Sequence, residues 1–183
     1  MSQPIDNEIV YSKNVIEFLT VANEYCLFVE KAESFTKEDI SQYMLKVLPL
    51  LYLKGTLLPF IKENDFEISE RYVNEELWEN IYKSLNHKFG KDDRYKIIRT
   101  NDNLESVPSI ASISDNLSDI YQDMKDFVML YQKGTHAAKE NAVSECKKLF
   151  ETNWGFKLLN AIKAIHCTLF TENNPDEFYE NDN

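Results

Sequence analysis

The apolar residues between Glu8 and Lys31 recur with the period of an α-helix. On a helical wheel of about 100° per residue most of them share one face, and more apolar residues widen that face on both sides. A helix that is apolar over most of its circumference is usually packed on several sides. The pattern therefore predicts a central helix that contacts at least three others. Its apolar residues are Tyr11, Val15, Phe18, Leu19, Ala22, Cys26 and Val29, with Ile16, Val21, Leu27 and Phe28 at the margins.

Two further helices are predicted in the first half of the chain. One follows a cap at Thr36, and Gly55 is its predicted stop signal. Pro49 lies inside this pattern, where it would either kink the helix or start a second short one. The next helix runs from about residue 74 to residue 89. Both segments carry apolar residues on one face, as helices packed on a core do.

Three more helices are predicted in the second half. One spans Asp115–Lys133 with Ser114 as its cap, and the next is capped by Thr135. The last runs from about residue 154 to residue 170, with Gly155 either breaking or bending the chain before it. No stretch alternates convincingly with a period of two. We therefore predict an all-α fold, a single-domain bundle of about six or seven helices.

The segment between these two halves is predicted to be an ordered loop. Residues 91–112 show no clear period, and Pro108 among several Asn, Asp and Ser residues favours irregular structure. Interleaved apolar residues such as Tyr95 would hold the segment against the core. Loops of this length are uncommon and are often functional. We expect any recognition to occur between Lys88 and Ile113.

Length and charge restrict the class of protein. The 183 residues suit one domain, which we place at residues 1–170, followed by an acidic tail at residues 171–183 that we expect to be frayed. A net charge of −11 disfavours nucleic acids and anionic membranes as partners. The three cysteines form no CxxC pair and fall among apolar residues, so we expect all three to be reduced and at least two to be buried. With no signal peptide and no membrane-length apolar run, a cytoplasmic protein is expected.

Three stretches carry a resemblance to a known family. They lie at residues 15–26, 48–54 and 119–127, and they include Val-Ile-Glu-Phe with Ala-Asn-Glu-Tyr-Cys, Leu-Pro-Leu-Leu-Tyr-Leu-Lys, and Asp-Ile-Tyr-Gln-Asp with Lys-Asp-Phe. Together they resemble an uncharacterised bacterial family of helical domains of unknown function, over nearly the whole chain. The resemblance implies a single all-α domain and brings no activity or site residues with it.

Carboxylates on the predicted helices form a first candidate site. Asp119, Asp123 and Asp126 fall within about 60° of one another on one helix. Mg²⁺ prefers several oxygen ligands, which facing helices of a bundle can supply. Glu76-x-x-Glu79 and Asp123-x-x-Asp126 partly resemble the ExxE and ExxD pairs of all-α nucleotide pyrophosphohydrolases, although here the gap is longer and the second pair begins with Asp. The alternative is that these are solvated helix faces. The alternative catalytic set is Glu24, Glu76, Glu79, Asp119, Asp123 and Asp126.

A basic cluster forms a second candidate site. Between residues 88 and 99, five basic and two acidic side chains give a net charge of +3. Arginine binds carboxylate or phosphate bidentately, so the cluster suits an anionic ligand or an acidic partner. The alternative is that these side chains pair with Asp92, Asp93 and the acidic tail. The candidate binding residues are Lys88, Lys91, Arg94, Lys96 and Arg99.

The histidines and cysteines show no metal-ligand spacing. His166 and Cys167 are neighbours that point about 100° apart on a helix, and we expect His166 to be a core histidine. No phosphate-binding loop or catalytic motif is present. We therefore predict a protein–protein interaction module that has a protein partner, needs no cofactor or metal, and binds neither nucleic acid nor membrane. The alternative is a Mg²⁺-dependent hydrolase of a phosphorylated small molecule.

Overall fold

Helices make up most of the protein, as the sequence predicts. The computed structural model describes residues 9–61, 71–100 and 105–170, with the backbone alone at residues 99 and 100. A two-stranded hairpin interrupts the helices, so the prediction of a loop without strands is wrong there. The elements are α1 (Lys13–Val29), α2 (Lys37–Thr56), α3 (Glu75–Phe89), β1 (Arg94–Thr100), β2 (Ser106–Ser112), α4 (Ile113–Gln132), α5 (His136–Leu149), a π-helical turn (Phe150–Trp154) and α6 (Gly155–Phe170), with short 3₁₀ turns at Ala32–Ser34 and Gly90–Asp93.

Side-chain caps start four of the helices. Thr36 and Asp39 form a capping box at the start of α2, in which each side chain bonds to the backbone of the other. Asn74 and Thr135 cap α3 and α5 in the same way, each accepting a backbone N–H three residues on. Helix α4 begins earlier than predicted, because Ser112 is its cap and not Ser114.

Helix α4 is the centre of the bundle. It packs against α1, α3, α5 and α6, and most of its residues are buried. The prediction that α1 is central is wrong, since the extensive packing of α1 is on α2 and α4. Two of the apolar residues at the margins of its wheel, Ile16 and Leu27, are 42% and 40% exposed. The width of the apolar face of α1 therefore does not predict how many helices pack against it.

A close contact joins α2 to the π-helical turn. Gly55 is buried inside α2 rather than ending it, and a Cβ at this position would lie 2.6 Å from Cη2 of Trp154. The indole Nε1 of Trp154 donates to the carbonyl oxygen of Cys146 at 3.1 Å. Because α2 packs along α6 while its C-terminal end meets the residue just before α6, the two helices run antiparallel. Pro49 lies within α2, which is a single helix as far as Thr56.

The hairpin projects from one end of the bundle. Its strands are antiparallel, with Arg94 opposite Ser112 and Thr100 opposite Ser106. At its base, Nζ of Lys37 at the start of α2 lies 2.7 Å from Oδ2 of Asp92. The N-terminus of α2, the C-terminus of α3 and the N-terminus of α4 therefore meet at this end. The antiparallel pairing with α2 brings the C-terminus of α6 to the same end.

Within the described ranges, no helix combines the length and the apolar character needed to cross a bilayer. The predicted tail at residues 171–183 lies outside the described residues.

Candidate functional site

The hairpin presents a face that carries both basic and apolar side chains. Residues that are directly opposite in an antiparallel pair share one face, and so do alternate residues of a strand. The register therefore places Lys96 beside Ile110, and Ile98 beside Pro108. Ile98 is 77% exposed and Ile110 is 63% exposed. We define the outer face of the hairpin by the exposed residues Arg94, Lys96, Ile98, Pro108 and Ile110.

The opposite face of the hairpin holds it against the bundle. Tyr95 packs on the hydrophobic core, and its hydroxyl accepts a hydrogen bond from Nδ2 of Asn116 in α4. Ala111, opposite Tyr95, is also partly buried. A two-stranded sheet is marginally stable alone, so these contacts explain why the hairpin keeps its position. They also fix which face is directed outward.

A buried carboxylate fixes the base of the hairpin. Asp93 is 1% exposed, and its Oδ1 accepts the backbone N–H of Ser114 at 2.8 Å. The positive end of the helix dipole of α4 favours a negative charge at this position. With Asp92 paired to Lys37, the two acids nearest the basic cluster are both used at the base. Both acids therefore have a bonding partner other than Arg94 and Lys96.

The structure assigns the predicted basic residues to different roles. Lys88 donates through Nζ to the carbonyl oxygen of Glu33 at 2.7 Å, which joins α3 to the 3₁₀ turn after α1. Lys91 is exposed in the turn before β1, next to the outer face that Arg94 and Lys96 belong to. The side chain of Arg99 lies outside the described part of the protein. Three of the five residues are thus exposed at or beside the hairpin, and one has a structural contact.

The predicted acidic residues of α4 join several elements. Asp119 accepts a hydrogen bond from Nε1 of Trp78 in α3 at 2.9 Å, and it also pairs with Lys157 of α6. Asp123 accepts a hydrogen bond from Nδ2 of Asn153 in the π-helical turn at 3.0 Å. The contacts of these two carboxylates explain how α4 is tied to α3 and to the junction of α5 and α6.

Asp126 holds the segment that leads into α3. Its Oδ1 accepts the backbone N–H groups of Tyr72 and Val73, both at 2.8 Å. Burial raises the pKa of Asp126 above its ordinary value, against these two hydrogen bonds. Burial also raises the pKa of Asp123, to about 7, although the hydrogen bond from Asn153 opposes this shift. Desolvation is the cause in both cases because it disfavours the charged form.

A small cavity lies beside these two carboxylates. It has a volume of about 20 Å³, and Asp123, Asp126, Arg71, Glu145 and Cys146 are among the residues that line it. That volume holds about one water molecule. The cavity is too small for a phosphorylated substrate.

The other residues of the predicted catalytic set lie on helices other than α4, which carries the three aspartates. Glu24 is exposed on α1, and Glu76 and Glu79 are exposed on α3. Glu79 pairs with Lys83 one turn away. In the described part of the chain, no group of three His, Cys, Asp or Glu side chains is arranged to hold a metal ion.

Two of the three cysteines are buried, as predicted, whereas the environment of His166 differs from the prediction. Cys26 and Cys146 are buried thiols, as predicted, and burial raises the pKa of each well above its usual range. Cys167 is exposed, as is His166, whose ring lies 4.7 Å from that of Phe170. The prediction of a core histidine is therefore wrong, because this side of α6 faces away from the bundle.

Comparisons with known proteins give a family and a fold. The model of the family described as a domain of unknown function, DUF5063, matches residues 9–171. The crystal structure of protein BF1032 from Bacteroides fragilis is similar, with 36% sequence identity and a TM-score of 0.79 over 89% of this chain and 96% of that one. No curated protein matches the chain.

Proposed function

The chain belongs to the DUF5063 family of domains of unknown function, and for this member we propose a protein–protein interaction. The outer face of the hairpin would bind an acidic protein segment that carries apolar side chains. The single observation that supports this most is the position of Ile98 and Ile110. These two large apolar residues are exposed beside basic residues, on an element whose other face is fixed to the bundle.

Charge favours an acidic partner. Arg94 and Lys96 share the outer face, and Lys91 lies next to it, while the whole chain has a net charge of −11. The positive patch attracts an acidic segment, while the acidic remainder of the surface repels other copies of the same protein. The guanidinium of Arg94 also suits bidentate contact with a carboxylate.

The apolar residues of the outer face would supply binding free energy that ion pairs alone do not. Exposed ion pairs contribute little to binding free energy, whereas the burial of apolar surface is the dominant favourable contribution in most protein–protein association. Ile98 and Ile110 lie on neighbouring strands of the same face, so a partner with two aliphatic or aromatic side chains could cover both. An extended segment would fit best, because its side chains alternate with the same period as the strands.

The geometry gives less support to the hydrolase alternative. A Mg²⁺-dependent mechanism needs carboxylates that are available to the cation and arranged around one point. Asp119 and Asp126 are used to hold neighbouring elements together, and Asp123 is mostly buried with Asn153 as its partner. Glu76 and Glu79 are on the exposed surface of α3.

Fluorescence anisotropy with designed peptides tests the proposal. The probe is a short dye-labelled peptide that repeats Glu-Ser-Leu-Ser, which places Glu and Leu on the same face of an extended chain, and its controls replace Glu by Lys or Leu by Ser. We expect the Glu–Leu peptide to bind most tightly and to weaken as salt is added. Arg94→Ala with Lys96→Ala should weaken it about tenfold or more, which is about 1.4 kcal/mol of binding free energy.

A matched control separates the hairpin from general charge. Lys46 on α2 and Lys163 on α6 are exposed and lie on other elements, so Lys46→Ala with Lys163→Ala changes the net charge equally. The control variant should bind like the unmodified protein. Equal loss of binding in both variants, or tighter binding of the Lys–Leu peptide, would reject the hairpin as the docking element.

A further inference from the structure

We propose that residues 171–183 of the same chain bind the outer face of the hairpin and compete with its partner. The inference rests on the proposed function in that it uses the same face. It adds a regulatory device, because an occupant already present in the chain must be displaced before an external segment can bind. Three observations support it.

The first observation is where the described chain ends. Helix α6 runs antiparallel to α2, so its last residue, Phe170, lies at the end of the bundle where α2 begins. Lys37, the first residue of α2, pairs with Asp92 just before β1. Residue 171 therefore follows at the same end as the base of the hairpin.

The second observation is the length of the segment. Thirteen residues, 171–183, follow Phe170, and an extended chain of this length spans up to about 40 Å at 3.3 Å per residue. Each strand of the hairpin has seven residues, or about 23 Å. The segment is thus long enough to run from the base of the hairpin along the whole outer face.

The third observation is complementary chemistry. Residues 171–183 contain five acidic side chains and no basic one, with Phe178 and Tyr179 adjacent among them. The outer face offers Arg94 and Lys96 beside Ile98 and Ile110. This is the combination of charge and apolar side chains that we propose for an external partner. In an extended segment Phe178 shares one face with Asp176 and Glu180, so Phe178 would cover the isoleucines while these carboxylates meet the basic residues.

Attachment to the same chain makes even a weak contact effective. A short flexible link gives a local concentration of about 1 mM. If the segment binds in trans with a dissociation constant near 100 μM, the same local concentration in cis reduces the apparent affinity of a competitor about tenfold. The predicted effect is therefore large enough to measure by titration.

The experiment uses the full chain and a dye-labelled synthetic peptide of residues 171–183 as the probe. In one variant the five acids of the segment are neutralised, which should free the outer face. We expect this variant to bind the peptide about ten times more tightly than the unmodified protein, and Arg94→Glu with Lys96→Glu should then abolish binding. The neutralising changes are Glu172→Gln, Asp176→Asn, Glu177→Gln, Glu180→Gln and Asp182→Asn.

A control variant excludes a general effect of net charge. It neutralises five exposed acids elsewhere and must bind the peptide like the unmodified protein. Equal gains in this control and in the tail variant would overturn the inference. The five control changes are Glu24→Gln, Glu75→Gln, Glu76→Gln, Glu79→Gln and Glu151→Gln.

The Glu–Leu peptide distinguishes failure of this inference from failure of the proposed function. If it binds the unmodified protein and the tail variant equally, the outer face is a docking site but the tail does not occupy it. If neither peptide binds any variant, both proposals fail. Dimers that dissociate when the tail is neutralised would show that the tail binds a second copy, which would overturn the arrangement within one chain.

Discussion

Gly55 and Trp154 meet so closely that no side chain fits between them. A Cβ at Gly55 would lie 2.6 Å from Cη2 of the indole and 3.0 Å from the ring of Phe150. Both aromatic residues are buried, so neither can swing into solvent. The contact sets the distance between α2 and the junction of α5 and α6.

Gly55→Ala should therefore destabilise the protein. Alanine favours a helix over glycine by up to about 1 kcal/mol, but overpacking a core costs typically about 1–3 kcal/mol, and here the obstacle is a fixed ring. We expect a net loss in the free energy of unfolding, measured by urea denaturation. Trp154→Phe in the Gly55→Ala background removes the closest clashing atom, Cη2 of the indole, so the double variant should lose less than the sum of the single changes. A more stable Gly55→Ala protein would contradict the close contact.

The raised pKa of Asp123 predicts that the free energy of unfolding depends on pH. Its pKa is raised to about 7 by burial, above the unfolded value of about 3.9. Between these two values the folded state binds a proton that the unfolded state releases, so the cost to stability is present above about pH 7 and decreases as the pH falls from about 7 toward about 4. We expect the free energy of unfolding to rise by about 2–3 kcal/mol between about pH 8 and pH 5.

Asp123→Asn keeps the acceptor for Asn153 without the charge. The variant should be more stable than the unmodified protein at the higher pH and should show a flatter profile. Denaturant titrations at several pH values measure both. An unchanged slope would show that Asp123 is not the group responsible.

Mg²⁺ at millimolar concentration should barely change the melting temperature. The carboxylates of α4 already have partners within the bundle, and a cation would have to displace them. A site present at about 100 times its dissociation constant would stabilise the fold by about 2.7 kcal/mol. A rise of several degrees that is lost in Asp123→Asn would instead favour the hydrolase alternative.

The cysteines should differ sharply in reactivity. The thiolate is the reactive form, and burial both shields Cys26 and Cys146 and raises the pKa of each. Cys167 is exposed on α6. A thiol reagent should modify one site quickly in the native protein and the other two only on unfolding, as followed by intact mass. Fast modification at two sites would contradict the packing around α1 or α5.

Sequence patterns predicted the helices well and their arrangement less well. Period and capping residues such as Thr36 and Asn74 are local signals, so they located the helices to within a few residues. Which helix is central depends on tertiary neighbours. The apolar residues at the margins of α1 suggested all-round packing, yet Ile16 and Leu27 are partly exposed.

The sequence pattern did not predict the hairpin, for a related reason. A half-buried strand is recognised by alternation of apolar and polar residues, but here apolar residues lie on both faces. Tyr95 packs on the core and Ile97 lies on the same face of the hairpin, while Ile98 and Ile110 are exposed. Ile98 and Ile110 break the alternation expected of the strands, and they are also the residues that we propose to bind a partner. Exceptions to local sequence rules are expected at functional sites. The basic residues could be named as candidates from the sequence because charge is visible without a structure.

The π-helical turn is the place where the chain between α5 and α6 can lose a residue at least cost. A π-helical turn holds one residue more than an α-helical turn, so deleting one residue from Phe150–Trp154 would leave an α-helical turn with α6 close to its present orientation. A deletion within α6 itself would instead rotate the residues after it by about 100°, and Ile165, now buried, would turn out of the core. Aligned members of the family should therefore differ by one residue at this turn more readily than within α6.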